Sequence, residues 1–242
     1  IPFVEMTVTT RCNLKCEYCS NLIPYLPKQK HFDLVRNIED LNKLLHAVHR
    51  IYRLKIHGGE PLLYPQLNQF LGYALAQPQI IDVRISTNGT VIPNADLLQI
   101  MKNPKFVLHI SQYPIAEKSV KELIKILQEN NIRYFYMEGQ EWSDLGDYEV
   151  WRERSMEETE AMIQACNMHK CTSYYEGKIY VCSRAANRCA ITGQEEGIRL
   201  GTEDDLQKLW AFFKKPYFET CQYCDGVLAD TGMISAGEQG EN

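Results

Sequence analysis

The chain has 242 residues, 45% hydrophobic and 24% charged, enough for one large domain or a domain with a small appendage. A net charge of -5 with no long basic run argues against a nucleic-acid partner, and no apolar run reaches the length of a transmembrane helix or forms a secretory h-region. Nine cysteines, an odd number grouped at metal-like spacings, point to a reducing, cytoplasmic compartment rather than to a disulfide framework.

The first predicted strand, Phe3 to Val8, leads into Thr9-Thr10-Arg11-Cys12-Asn13-Leu14-Lys15-Cys16-Glu17-Tyr18-Cys19, a C-x3-C-x2-C run. Three thiolates this close can hold three irons of a [4Fe-4S] cluster and leave the fourth open to a small molecule. Zinc is the competing reading, because Cys16 and Cys19 alone make an ordinary C-x2-C half-site. Cys12, the aromatic Tyr18 and the preceding strand favour iron and sulfur.

Four more predicted strands follow: Tyr52 to His57, Ile81 to Ser86, Phe106 to Ser111 and Ile132 to Met137. They recur every 25 to 29 residues, near the length of one strand-helix unit. Between them Asp33 caps a helix striped by Leu34, Val35, Ile38, Leu41, Leu44, Leu45 and Val48. Pro65 opens a second helix through about Ala76, Asn94 caps a third, and Val120, Leu123, Ile124 and Leu127 stripe a fourth. The alternation predicts an α/β fold, a partial (β/α) barrel of about five to six parallel strands over residues 1–137, working at the C-terminal ends of its strands. Those ends carry Gly58-Gly59-Glu60-Pro61, Ser86-Thr87-Asn88-Gly89 and Ser111-Gln112-Tyr113-Pro114. Each alone is a plain turn signal; in ordered series after the cysteine run they read as a binding edge.

Residues 138–165 form a linker or lid. Glu138 to Glu158 is acidic, with Trp142, Tyr148 and Trp151 as aromatic candidates to touch a substrate, and Ser155 with Glu158 makes a capping box opening a helix to about Gln164. Residues 166–235 hold the other six cysteines. Thr172 to Cys182 reads as a β-hairpin turning at Glu176-Gly177, which sets Cys171 opposite Cys182, and a helix from Glu203 to Phe213 precedes the knuckle Cys221-Gln222-Tyr223-Cys224. Two such pairs make one four-thiolate site, for zinc or for a cluster. Only the tail from Ala236 to Asn242 looks disordered.

The cysteine run followed by Gly58-Gly59-Glu60-Pro61 resembles the signature of the radical S-adenosylmethionine (SAM) enzymes. The resemblance implies that Cys12, Cys16 and Cys19 carry a [4Fe-4S] cluster whose open iron holds the amino and carboxylate groups of SAM. It implies that a 5'-deoxyadenosyl radical made there abstracts a hydrogen atom, and that flavodoxin or ferredoxin supplies the electron. SAM would be held by Tyr18, by Gly58, Gly59, Glu60 and Pro61, by Ser86, Thr87 and Asn88, and by Ser111 and Tyr113.

Cys166 or Cys171, then Gly177, Cys182 and the late C-x2-C, resemble the twitch domain, the shortened SPASM domain of the same enzymes. This implies a second, auxiliary [4Fe-4S] cluster on Cys182, Cys221, Cys224 and one of the first two cysteines. Cys166 gives the gap to Gly177 that the family prefers; Cys171 gives the better hairpin geometry. With Cys171 as ligand, Cys166 and Cys189 are left as candidate hydrogen-atom donors to a substrate radical, although a spare buried cysteine is ordinarily a small hydrophobe. The pattern is also similar to radical SAM proteins of sugar and polysaccharide pathways and to the radical dehydrogenase of an aminocyclitol alcohol. An oxidoreductase or epimerase acting on a carbohydrate-like small molecule, a sugar or nucleotide-sugar, is therefore expected. A maturase of a ribosomally made peptide and a structural zinc protein are the alternatives.

Overall fold

The computed structural model describes residues 1–111, 113–137 and 141–240; Gln112 at the fourth strand end, Glu138 in the acidic bridge and Asn242 in the tail lie outside the described residues. The chain runs β1 (Phe3–Thr9), α1 (Leu34–Ala47), β2 (Ile51–Gly58), α2 (Leu67–Ala76), β3 (Ile80–Thr87), α3 (Ala95–Met101), β4 (Phe106–Ser111), α4 (Glu117–Glu129), β5 (Tyr134–Met137). It continues with β6 (Glu141–Ser143), α5 (Met156–Ala165), β7 (Ser173–Tyr175), β8 (Lys178–Tyr180), α6 (Ser183–Thr192), β9 (Ile198–Arg199), α7 (Asp205–Phe213) and β10 (Met233–Ser235).

The expected helix starts are seen as hydrogen bonds: Asp33 accepts from the Arg36 N–H, Asn94 from the Leu97 N–H, and Ser155 and Glu158 complete a reciprocal capping box. Two details differ. Val35 faces solvent although it was counted in the apolar stripe, and α2 starts at Leu67, the chain before it forming a short 3-10 turn at Pro61–Leu63. Helix α6 carries no apolar stripe or usual cap in the sequence; Cys182 is its N-cap and Gly193, at φ 76°, ends it in the left-handed conformation.

The sheet order is β5-β4-β3-β2-β1-β7-β8-β9. β1 to β5 are parallel, and β7 adds to β1 as a sixth parallel strand through the pairs Glu5 with Ser173 and Met6 with Tyr174. The hairpin expected in a separate C-terminal unit is thus hydrogen-bonded into the barrel sheet, and β8 and β9 run antiparallel beyond it. Its turn residues Glu176 and Gly177 both have positive φ, as a two-residue hairpin loop requires.

Alternation in the strands separates the two faces. Val4, Met6 and Val8, Leu54 and Ile56, Val83 and Ile85, and Leu108 and Ile110 are buried under the helices. The opposite face carries Glu5, Lys55, His57, Ser86, His109 and Ser111. The acidic bridge contributes the short strand β6, which pairs antiparallel with β10 through Trp142 and Ile234. The tail, expected to be disordered, instead lies against the first cysteine loop as far as Gly240: Glu17 N–H donates to Glu238 O at 2.9 Å and Gly240 N–H to Lys15 O at 2.9 Å.

Candidate functional site

The three cysteines of the first run open on one cavity of about 360 Å³ at the C-terminal ends of the strands. Its wall also takes in Gly58, Gly59, Ser86, Thr87, Asn88, Ser111 and Tyr113, so seven of the ten expected SAM contacts share one space with Cys12, Cys16 and Cys19. The loop is shaped by its neighbours. Cys12 Sγ accepts from the Leu14 N–H at 3.4 Å and stands 3.8 Å from Asn88 Nδ2; Cys16 Sγ accepts from Gln239 Nε2 at 3.3 Å. Lys15 N–H donates to Gln239 Oε1 at 2.8 Å, which fixes which end of that amide faces the sulfur. Burial pushes the Cys12 thiol up to about 12.

Glu60, Pro61 and Tyr18 are placed differently from the expectation. Glu60 is fully buried and turns into the protein: Oε1 accepts from Leu62 N–H and Thr87 Oγ1, both at 2.9 Å, and Oε2 from Asn88 N–H at 2.7 Å. Burial raises its carboxyl to about 7 against the pull of those donors. It joins the end of β2 to the end of β3 rather than facing the cavity. Pro61 begins the adjoining 3-10 turn, and Tyr18 lines a neighbouring groove with Cys19, Tyr25, Tyr148 and Arg184. The glycine pair is explained by its own chain: a Cβ on Gly58 would lie 1.9 Å from Thr9 O, and one on Gly59 2.4 Å from Arg11 O.

The cavity floor contains residues that motif reading passed over: Lys55, His57 and His109. The Lys55 ammonium pairs with Glu5 at 2.8 Å. Burial lowers both imidazoles to about 4, leaving them neutral, and the Nε2 atoms of both are buried without a partner among the described residues. The available signal was polar residues at alternate positions of otherwise apolar strands. Trp142, edge-on to Tyr113 at 5.3 Å between ring centroids, closes one side, whereas Tyr148 packs on Tyr25 and Trp151 on Tyr223.

A second, tighter cavity of about 40 Å³ is lined by Cys166, Cys182, Cys221 and Cys224. Backbone N–H groups point at three of these sulfurs: Val227 to Cys166 at 3.3 Å, Ala185 to Cys182 and Gly226 to Cys224, both at 3.4 Å. Cys171 does not line it. The hairpin pairing runs only from Ser173 with Tyr180 to Tyr175 with Lys178, short of both cysteines; the Cys171 thiol sits in the field of Glu5 and Lys55, and burial pushes it up to about 12. Cys189 lines neither cavity; it packs with Phe32, Tyr175, Tyr180 and Ala186, its sulfur 3.8 Å from Thr220 Oγ1. Among the described residues no three His, Cys, Asp or Glu side chains close round a single ion; the thiols line cavity walls instead. The two cavities share Leu145, Met168 and Val227 as a common wall.

A partial barrel that presents three clustered thiols at the end of β1, with glycine and asparagine turns of β2 and β3 around the same cavity, has the donor set for a cluster with one open iron. The chain belongs to the radical SAM superfamily, whose family profile matches residues 6–144. GTP 3',8-cyclase of Clostridium acetobutylicum is 36% identical over 98 residues, 38% of this chain and 29% of that protein. The GTP 3',8-cyclase of Campylobacter jejuni (strain RM1221) is 33% identical over 128 residues, 51% of this chain and 38% of that protein. The match therefore spans only about a third of these curated relatives. Among solved structures, BtrN in complex with AdoMet and 2-DOIA aligns over 100% of this chain and 98% of its own, with a TM-score of 0.59 at 17% identity. Native anSMEcpe with bound AdoMet and Cp18Cys peptide gives 0.54 at 12% identity over 97% of this chain and 93% of its own. SuiB of Streptococcus suis, bound to its precursor peptide, gives 0.52 at 15% identity over 93% and 70%. At these identities the likeness is one of fold.

Proposed function

We propose that this chain oxidises a carbinol carbon of a carbohydrate-like small molecule, with one [4Fe-4S] cluster on Cys12, Cys16 and Cys19 and an auxiliary [4Fe-4S] cluster on Cys166, Cys182, Cys221 and Cys224. The observation that carries the reading is the pair of thiol-lined cavities separated by a single apolar wall of Leu145, Met168 and Val227. Cys12, Cys16 and Cys19 would hold the cluster that with SAM supplies hydrogen-atom abstraction, and Cys166, Cys182, Cys221 and Cys224 would hold the cluster that takes up the remaining electron as the hydroxyl proton leaves to water.

The chain's own residues bind and orient. Ser86, Ser111 and the neutral His57 and His109 offer hydrogen bonds suited to hydroxyl groups, and Trp142 with Tyr113 offers an apolar face for a ring. Because Glu5 neutralises Lys55, this floor offers a polyphosphate no unpaired cation among the described residues. Thr87 and Asn88, tethered by Glu60 at the C-terminal end of β3, line the cavity beside the cysteine loop and would face SAM. Cys166 in place of Cys171 as the fourth thiol leaves Cys171, not Cys166, as the spare one near the barrel floor.

Anaerobic reconstitution should give about 8 Fe and 8 sulfide per chain. Cys166→Ala should lose the auxiliary half of that iron and Cys171→Ala should keep it. Reduced protein should release 5'-deoxyadenosine, with one SAM consumed per ketone formed from an amino- or deoxycyclitol or a sugar. About 4 Fe with one zinc would remove the auxiliary cluster. Inverted product carrying one solvent deuterium, lost in Cys171→Ala, would replace oxidation by epimerisation.

A further inference from the structure

Two guanidinium groups on α6 are buried without an ion pair among the described residues. Arg184 and Arg188 are only 6% and 5% exposed. Arg184 donates through Nη2 to Gly146 O at 2.7 Å, and its Nε has no partner among the described residues. Arg188 donates to Tyr148 O at 2.9 Å and to the neutral amide of Gln194, and its guanidinium lies 3.3 Å from the Tyr223 ring centre. Neither forms an ion pair with a carboxylate among the described residues. Arg152 and Arg154 nearby show the ordinary solution, sharing Asp225 at 2.9 Å each.

A buried cation without an ion-pair partner is disfavoured, and a negative charge that serves both side chains belongs where they meet a common space. That space is the four-cysteine cavity, which both line. Protonated thiols carry no charge and cannot balance it; four thiolates around a cluster can. The N-terminus of α6, with Cys182 as its cap, adds a positive dipole end to the same wall. Arg184 reaches further than Arg188: it also lines the groove that holds Cys19 of the first cysteine loop, together with Glu17, Asp144, Asp147 and Glu149, none of which forms an ion pair with it among the described residues.

We propose that Arg184 and Arg188 are the counter-ions of the auxiliary cluster and hold its reduction potential up, and that Arg184 does the same for the first cluster through Cys19. The proposal rests on the two-cluster reading above. A reduced cluster carries one more negative charge than an oxidised one, so a neighbouring cation favours reduction and its removal lowers the potential. An auxiliary cluster held up in this way is the better electron acceptor from a substrate radical.

The test is an anaerobic redox titration of the full chain, followed by electron paramagnetic resonance so that the two clusters are read separately. Arg188→Met should lower the auxiliary potential and leave the first cluster alone. Arg184→Met should lower both, and Arg184→Lys should restore most of each shift. If Arg184→Met folds but takes up no auxiliary iron while Arg184→Lys fills normally, the need for charge is equally supported. Full iron content with unmoved potentials in both Met variants overturns the proposal alone. Wild-type protein that fills only one cluster overturns the two-cluster reading and the proposal with it, a result seen before any arginine is changed.

Discussion

At the scale of single residues, the clearest lesson comes from Glu60. Its place after two glycines at a strand end marks a ligand contact by motif, yet its carboxylate is occupied by two backbone N–H groups and the Thr87 hydroxyl. Glu60→Ala leaves three buried donors unpaired, each costing about 1–3 kcal/mol before relaxation. The expected outcome is a lower urea midpoint of the SAM-free protein together with weaker SAM binding, because Asn88 and Thr87 lose their anchor. Unchanged stability with weakened binding would instead mean a direct contact to SAM. Spacing in a sequence tells which residue is present at a strand end but not whether its side chain turns to the cavity or back into the turn. That choice was made here by the N–H groups of Leu62 and Asn88.

At the scale of elements, β1 to β5 and their helices were legible because local rules agree with the fold: alternation, apolar stripes and the caps Asp33, Asn94 and Ser155 all point the same way. Helix α6 was not legible. Its cap is a cysteine, and its buried face holds Arg184, Asn187 and Arg188, which in a sequence look like a solvated side. The polar faces of β2 and β4 lead to a pH prediction. His57 and His109 have folded pKa values lowered to about 4 from an ordinary 6.5, so the folded state binds fewer protons than the unfolded chain between those values. The stability they contribute is complete above about pH 6.5 and is lost as pH falls towards 4. Between about pH 6.5 and 5 this amounts to up to about 2 kcal/mol for the deeply buried His57 and to less for His109, whose shift solvent partly screens. Chemical denaturation of His57→Gln and His109→Gln at the two pH values should show a shallower loss than the wild type; equal slopes would mean that the imidazoles are charged or solvated in the folded state.

At the scale of the whole molecule, the cysteine-rich second half and the barrel do not stand apart: β7 extends the barrel sheet, the two cavities share a wall, and the tail returns to the first cysteine loop. None of these long-range pairings has a signature in local sequence, which is why the tail from Ala236 read as disordered. Gln239 carries the return contact, donating to Cys16 Sγ at 3.3 Å and accepting from Lys15 N–H at 2.8 Å. Gln239→Ala should cost about 1 kcal/mol for each bond lost. In the reconstituted protein it should speed iron release to a chelator from the first cluster and leave the auxiliary cluster unaffected; equal release rates from the first cluster would show that the tail does not support it. The same contact has a consequence for the order of folding. Gln239 and Cys16 are 223 residues apart, whereas the four cysteines of the second cavity lie within residues 166–224. Contacts of such separation are the slow ones to form, because much of the chain has to be ordered before they close. The first cysteine motif in the chain is therefore expected to gain its full surroundings late, after the four-cysteine cavity within residues 166–224 has closed.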